Sequence, residues 1–323
     1  MTRVLVAGGG GFVGGHLVAS LLEKGHDVRA VDLKPTADWW QLHEQAENHQ
    51  GDLSRLEAAE QACVDVETVY NLACDMGGMG FIENNKALCM LSVLINTHLL
   101  KAAAASGASR FFFASSACVY PQRLQAVPEV LALREVDAYP ADPEDGYGWE
   151  KLFSERMCRH FREDFGLETR IGRLHNVYGP HGTWMGGRDK APAALCRKVD
   201  EAKTRGDGSI EIWGTGEQVR SFTFIDDCIR GIHLLTDSDW REPLNIGSSE
   251  CVTINQLART ICDAAEVELD FDYRTDAPLG VAGRNSDNQQ IRELFGWEPS
   301  TSLATGIRAT YQWIAQQRAG WLT

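Results

Sequence analysis

Residues 3–25 read RVLVAGGGGFVGGHLVASLLEKG, and Gly8, Gly11 and Gly14 within them have the spacing G-x-x-G-x-x-G. A short apolar run ends at these glycines, and Phe12, Val13, Leu17, Leu21 and Leu22 then recur at helical spacing as far as Gly25. A strand, a glycine turn and a helix in that order let backbone and helix N-terminus approach a pyrophosphate, whose negative charge the helix dipole favours. HDVRAVD (26–32) supplies a second strand, and Asp32 ends it eighteen residues after Gly14, where an acid hydrogen-bonds the ribose hydroxyls of a dinucleotide. The same carboxylate would repel a 2′-phosphate, so NAD is expected over NADP, with Lys34 nearby pulling the other way. Phe12 and Val13 at the helix start, and Asp52 and Leu53 in the GDL after an expected third strand, complete the cofactor-binding candidates.

The alternation continues with a helical LSRLEAAEQAC, a strand VETVYNLA, a long helix across 84–106 and a strand SRFFFASS. The expected fold is α/β, a Rossmann-type doubly wound parallel sheet with a smaller C-terminal substrate-binding lobe. Residues 1–172 are expected to form the NAD-binding domain, with 222–250 returning to it, and 173–323 the lobe, interleaved. Turns such as YGPHG and WGTG break the rhythm after about residue 173, and the proline- and acid-rich 127–146 reads as loop. No repeat of solenoid period and no low-complexity segment is present.

With 45 acidic against 31 basic residues the chain carries a formal charge of −14. Nucleic acid and anionic membrane surfaces would be repelled over most of such a surface, so neither is an expected partner, and a small anionic ligand requires a locally basic pocket. The nine cysteines include no C-x-x-C pair and suit reduced thiols in a cytoplasm better than a disulfide framework or a zinc site. The histidines form no ligand-spaced cluster, so no metal is expected. No secretory leader and no continuous apolar run near eighteen residues is seen, which points to a soluble, cytoplasmic protein.

YGWEK places Tyr147 and Lys151 four residues apart, on one helix face and about 6 Å apart along its axis. Upstream, ASSACVYP puts Ser116 at a strand end with Ala117 and Cys118 beside it. A buried cysteine is ordinarily a small hydrophobe, so packing is the first reading of Cys118. Ser116, Tyr147 and Lys151 resemble the Ser–Tyr–Lys constellation of short-chain dehydrogenases/reductases. That resemblance implies a lysine and a positive nicotinamide that lower the tyrosine pKa, so that the phenolate removes a hydroxyl proton while hydride leaves for NAD⁺. The chain length and NVYGP (176–180) resemble the extended, nucleotide-sugar-modifying branch of that family along essentially the whole chain.

NLACDMGGMGFI, FFFASSACVYP, RLHNVYGPHGTWMGGRDKAPAALCRK, RSFTFIDDC, REPLNIGS and GRNSDN together resemble the GDP-mannose 3,5-epimerase family. The resemblance implies transient oxidation of C4 of a GDP-hexose, which acidifies the hydrogens on C3 and C5. A cysteine and a lysine matching Cys118 and Lys190 then act as acid and base, giving GDP-L-galactose, with GDP-L-gulose by C5 inversion alone. A thiol tuned down by cations and a lysine tuned down by burial would suit that work. In the same motifs Lys198, Arg220 and Arg284 are candidates for phosphate or sugar contacts, and Asn176 for a hydrogen bond to either. Gly77, Gly78 and Gly80 let a loop close over the sugar, and Ala117, Asp189, Ala191, Gln218 and Ser221 complete the substrate-binding set. His175 and His181 are read as pocket-lining or structural, and Trp149 as packing. The family also implies a homodimer built on the 84–106 and 147–165 helices. A nucleotide-sugar 4-epimerase would use Ser116, Tyr147 and Lys151 without Cys118 and Lys190. A 4,6-dehydratase is disfavoured because Ala117–Cys118 stand where an Asp-Glu pair is expected. A non-catalytic NAD-binding regulator would commonly lack the intact Tyr/Lys pair.

Overall fold

Strands covered on both faces must be apolar on both faces, and RVLVA, TVYN and RFFFASS meet that demand. The computed structural model describes residues 2–127, 131–277 and 280–322, so 128–130 of the proline- and acid-rich stretch lie outside it. Seven parallel strands form the central sheet: β1 Arg3–Ala7, β2 Asp27–Asp32, β3 Glu47–Gln50, β4 Thr68–Asn71, β5 Arg110–Ser116, β6 Glu168–Leu174 and β7 Leu244–Ile246. Their order is β7-β6-β5-β4-β1-β2-β3, so the winding reverses between β1 and β4, where doubly wound sheets open a crevice at the strands' carboxyl ends. Alternation along β5 shows both faces covered. Phe112 faces the core shared with α1 (Phe12–Glu23), and Phe111 and Phe113 face the core shared with α2 (Ser92–Ser106) and α3 (Tyr147–Phe165).

The lobe is interleaved with this sheet. Val219–Ser221 pairs antiparallel with Cys251–Thr253 and parallel with Gly283–Ser286, which also takes in Ala132–Leu133 from the first half of the chain. No clean cut falls at residue 172, because β6 runs on to Leu174, and β7, inside the 222–250 segment, pairs with it through Leu244 opposite Gly172.

The helix expected across 84–106 runs from Lys86 to Ser106, as Lys86–Met90 and α2 joined through the helical Leu91, and a separate short helix Met79–Asn84 precedes it. The amides of Asn84 and Asn85 donate to the carbonyls of Gly80 and Phe81, and such local side-chain bonds compete with the helix ladder. By length and composition alone Lys86–Ser106 is apolar enough to cross a membrane. In this fold its Asn96, Leu99, Leu100 and Ala103 are buried.

One buried ion pair fixes α3 to the sheet. Arg173 on β6 donates to both oxygens of Glu155 on α3, at 2.9 and 2.7 Å, and Ser115 on β5 donates to Glu155 at 2.5 Å. Arg173 also reaches the Glu135 carbonyl at 2.7 Å. With both partners almost wholly buried, losing one strands the other's charge out of water. Glu155→Ala is expected to lower stability by about 3–5 kcal/mol, read as an earlier urea-unfolding midpoint at unchanged slope.

Candidate active site

The cofactor end is set by backbone. Gly8 has φ +84° and, with Gly9, donates its N–H to the Val31 carbonyl, at 2.7 and 3.2 Å. A Cβ on Gly14 would lie 2.0 Å from the Gly8 carbonyl oxygen, so turn and helix are in contact there. Helix α1 begins after Gly11 with no side-chain cap, which leaves its first-turn N–H groups for a ligand, and that bare cradle fits a pyrophosphate. Phe12 and Val13 open α1, half-buried against the core. Asp32 ends β2 and accepts the Lys34 N–H at 3.0 Å. The Lys34 ammonium turns back onto the Gly10 carbonyl. Asp52 accepts the N–H and hydroxyl of Ser54, at 3.0 and 2.6 Å, and so holds its own turn, with Leu53 buried beside it.

The chemistry gathers where β5 ends. Ser116 closes that strand, and its hydroxyl accepts the Cys118 N–H at 3.2 Å across the turn Ala117–Val119, in which Ala117 is buried. Tyr147 opens α3 within hydrogen-bond reach of Ser116. A Cβ on Gly148 would lie 2.4 Å from the Cys118 carbonyl oxygen, which also accepts the Glu144 N–H at 3.1 Å. The buried Lys151 ammonium lies 4.8 Å from the Phe113 ring centre, 5.5 Å from that of Tyr147 and 3.6 Å from Glu150. Lys190 stands at the N-cap of α4 (Ala191–Arg205), near Cys118 and Cys74, and Ala191 follows it half-buried. The loop carrying Gly77 and Gly78 closes on that segment. The Gly78 N–H donates to the Arg188 carbonyl at 3.1 Å, and a Cβ on Gly78 would lie 2.4 Å from the Asp189 carbonyl oxygen.

Burial dominates the electrostatics, and for the thiol it runs against the expected shift. The Tyr147 phenol is pushed well above its ordinary value by burial, then by Cys74, Cys118 and Glu150, against the Ser116 hydrogen bond. The chain alone therefore does not lower it. Cys118 is pushed up to about 11 by burial and by Glu144, and Arg284, whose Nη1 lies 3.3 Å from Sγ, only partly opposes this. The expected downward tuning by cations is outweighed. Lys190 is lowered by burial, with Cys118 and Cys74 opposing. For Lys151 burial lowers the value, but Cys74 and Glu150 more than compensate and the net shift is upward.

The other substrate candidates divide by whether their polar atoms are free. Gln218 Oε1 and Ser221 Oγ are buried with no hydrogen-bond partner. Asn176, at φ +40°, donates to the Ser221 carbonyl at 2.9 Å. Asp189 faces Arg197 at 3.5 Å, and Lys198 is held by the Glu211 carbonyl at 2.9 Å and its carboxylate at 3.3 Å. Arg220 donates to the Val219, Val281 and Ala282 carbonyls and is lowered to about 10 by burial and by Arg284. Arg284 is buried beneath Cys118 and donates to Gln125 at 2.5 Å, so its guanidinium is directed at the thiol. Trp149 is no packing residue; it is 45% exposed, near Phe153 at 55%. His175 is fully buried on Asn245 at 2.9 Å and lowered to about 3 by burial, which keeps it neutral. His181 meets His16 edge-on and Trp313 at a tilt. Cys74, Gln125 and Glu144 belong to the site and are absent from the sequence-based set. Only the position of Glu144, three residues before Tyr147, hinted at this.

The family model described as "NAD dependent epimerase/dehydratase family" matches residues 4–247. The chain belongs to this family of nucleotide-sugar enzymes, and NAD is its cofactor. Within it, the chain is 46% identical over 316 residues to GDP-mannose 3,5-epimerase of Arabidopsis thaliana and to GDP-mannose 3,5-epimerase 1 of Oryza sativa subsp. indica, covering 98% of this chain and 82% of each relative. Among solved structures, the UDP-glucose 4-epimerase of Thermotoga maritima with UDP-glucose superposes with a TM-score of 0.87 at 25% identity, covering 98% of this chain and 100% of that one.

Gly148→Ala is expected to push the Cys118 turn away from α3 and to lower turnover at least about tenfold, as small misplacements in a site do. The check is the steady-state rate of a variant whose circular dichroism is unchanged.

Proposed function

We propose that this chain epimerises GDP-mannose at C5 and C3 by way of a transient C4 ketone. The carrying observation is that one buried site holds the Ser116–Tyr147–Lys151 set together with Cys118 and Lys190, in a chain 46% identical to GDP-mannose 3,5-epimerases. The Gly8–Gly14 turn and the start of α1 would hold NAD, which would supply a reversible hydride acceptor for C4. Tyr147 takes the proton of the C4 hydroxyl as the phenolate that the positive nicotinamide and the Lys151 cation together would favour, with Ser116 orienting it. Once C4 is a ketone, the hydrogens on C3 and C5 are acidic. Burial favours the uncharged forms of the pair, a thiol that has its proton and an amine that lacks one. In that charge state Lys190 removes a proton from carbon and Cys118 delivers one to the opposite face. Gln218 and Ser221, with free buried oxygens, receive polar groups of the nucleotide sugar. Exposed Leu88, Met90, Leu91 and Leu94, with Trp149 and Phe153 on the adjoining α3, form the face of a homodimer.

Proton NMR of GDP-mannose with the protein in D₂O is expected to show loss of the C3 and C5 hydrogens, retention of the C4 hydrogen and galactose-configured product. No exchange by folded, NAD-loaded protein would sink the reading. Cys118→Ala and Lys190→Ala are each expected to slow exchange about a hundredfold or more while C4 chemistry persists. Because Lys190 works uncharged and its pKa is depressed, the exchange rate should rise with pH below the ordinary lysine range, then fall as Cys118 deprotonates near about 11. Light scattering should give twice the 35.7 kDa chain mass, and Phe153→Glu should return it to the monomer value.

A further inference from the structure

Double inversion sets a condition that Cys118 and Lys190 alone do not meet. In the D-manno configuration the hydrogens on C3 and C5 lie on the same face of the ring. One base therefore removes both, and one acid on the other face supplies both. After the first inversion the acid lacks its proton and the base on the opposite face holds one, so a proton must travel from base to acid by way of solvent before the second. Taking Cys118 as that acid rests on the function proposed above.

The surroundings of Cys118 contain one group suited to the task. Sγ is flanked by the Arg284 guanidinium at 3.3 Å and by the Glu144 carboxylate. Arginine stays charged and does not give up a proton at working pH. Glu144 is latched to the same turn, since its N–H donates to the Cys118 carbonyl at 3.1 Å. Both of its carboxylate oxygens are buried without a hydrogen-bond partner, and Arg284 Nη2, at 3.7 Å, is in ion-pair range but too far for a hydrogen bond. A buried, unsatisfied carboxylate costs stability and calls for a reason. Glu144 also lines a cavity of about 790 Å³ with Lys86, Gln125, Gln218 and Ala282, polar and roomy enough for water.

We propose that Glu144 carries protons between water in this cavity and Cys118. A water O–H bond breaks as an O–H bond forms on the carboxylate, and that bond breaks in turn as the proton reaches the Cys118 thiolate. The hydroxide left in the cavity is reprotonated through solvent by the Lys190 ammonium that the first inversion produced, so the net change is one proton passed from Lys190 to Cys118 and both groups are reset. Glu144 acts through Cys118 and does not touch the sugar, so it is a positioning residue.

Two measurements on the NAD-loaded enzyme test this. Iodoacetamide alkylation of Cys118 against pH, followed by peptide mass spectrometry, needs no substrate. Cys118 faces Glu144, Arg284, Arg220, Lys190 and Tyr147, of which Glu144 is the carboxylate. Glu144→Gln, which keeps the shape and removes the charge, should move the alkylation midpoint to lower pH. In D₂O with GDP-mannose, Glu144→Gln should retain deuterium uptake at C5 in the first turnover, yet accumulate the singly inverted product and lose at least tenfold in the second inversion and in steady state. Glu144→Asp should recover part of that loss. Wild type exchanging at both carbons, with Glu144→Gln indistinguishable from it, overturns this proposal alone. An unmoved midpoint with the first turnover also lost overturns it in favour of a packing role. Absence of exchange in wild type overturns the epimerase reading, and this one with it.

Discussion

The site depends on a contact of backbone with backbone. Gly148 lies so close to the Cys118 carbonyl that no side chain fits between them, and the same carbonyl accepts the Glu144 N–H. Through this contact the turn after β5, which carries Ser116 and Cys118, and the start of α3, which carries Tyr147 and Lys151, become one rigid piece. Neither would hold its geometry alone, because the turn is only three residues long and α3 starts from a glycine with no side-chain cap. The Arg173–Glu155 pair serves the same end two turns further along α3, tying the helix to β6 and, through Ser115, to β5.

Rigidity of this kind is bought with burial, and burial sets the charges. The same exclusion of water pushes the Cys118 thiol and Tyr147 phenol up and the Lys190 amine down. An arginine 3.3 Å from a sulfur would ordinarily favour the thiolate. Here Glu144 offsets part of that positive charge, and desolvation outweighs the rest. Burial thus biases the pair toward thiol and amine, the charge state on which the proposed acid and base roles rest.

What was legible in the sequence was local. The glycine turn, the ending of β2 at Asp32 and the Tyr147/Lys151 spacing are set by residues within a turn or two of each other, and periodicity reads such features directly. The helix expected across 84–106 starts two residues later, at Lys86, because the Asn84 and Asn85 side chains, whose back-bonds leave no trace in apolar periodicity, end the short helix before it. Arg284 lies 166 residues from Cys118 in the chain, and only the lobe sheet, with Gly283–Ser286 beside Val219–Ser221, brings them together. Its pairing with the thiol could not be read from residue type, which suggested phosphate. The direction of the Cys118 shift was equally hidden, since cations near a thiol can be guessed from sequence whereas the depth of burial cannot.

The partners of the basic residues bear on which of them could receive the diphosphate of the proposed substrate in a chain of net charge −14. Lys198 is paired with Glu211 at a site where both side chains keep contact with water, 24% and 40% exposed. Such a pair is worth about 1 kcal/mol or less, so an arriving phosphate exchanges for Glu211 at little loss. Arg284 is buried with Cys118, Gln125 and Glu144, and drawing it away would leave a carboxylate unpaired in the interior, a loss of about 3–5 kcal/mol. On the proposed reading, Lys198 is the cation that a diphosphate could engage at least loss. Arg284 stays under the thiol, which keeps the acid of the proposed reaction in place whether or not the nucleotide is bound.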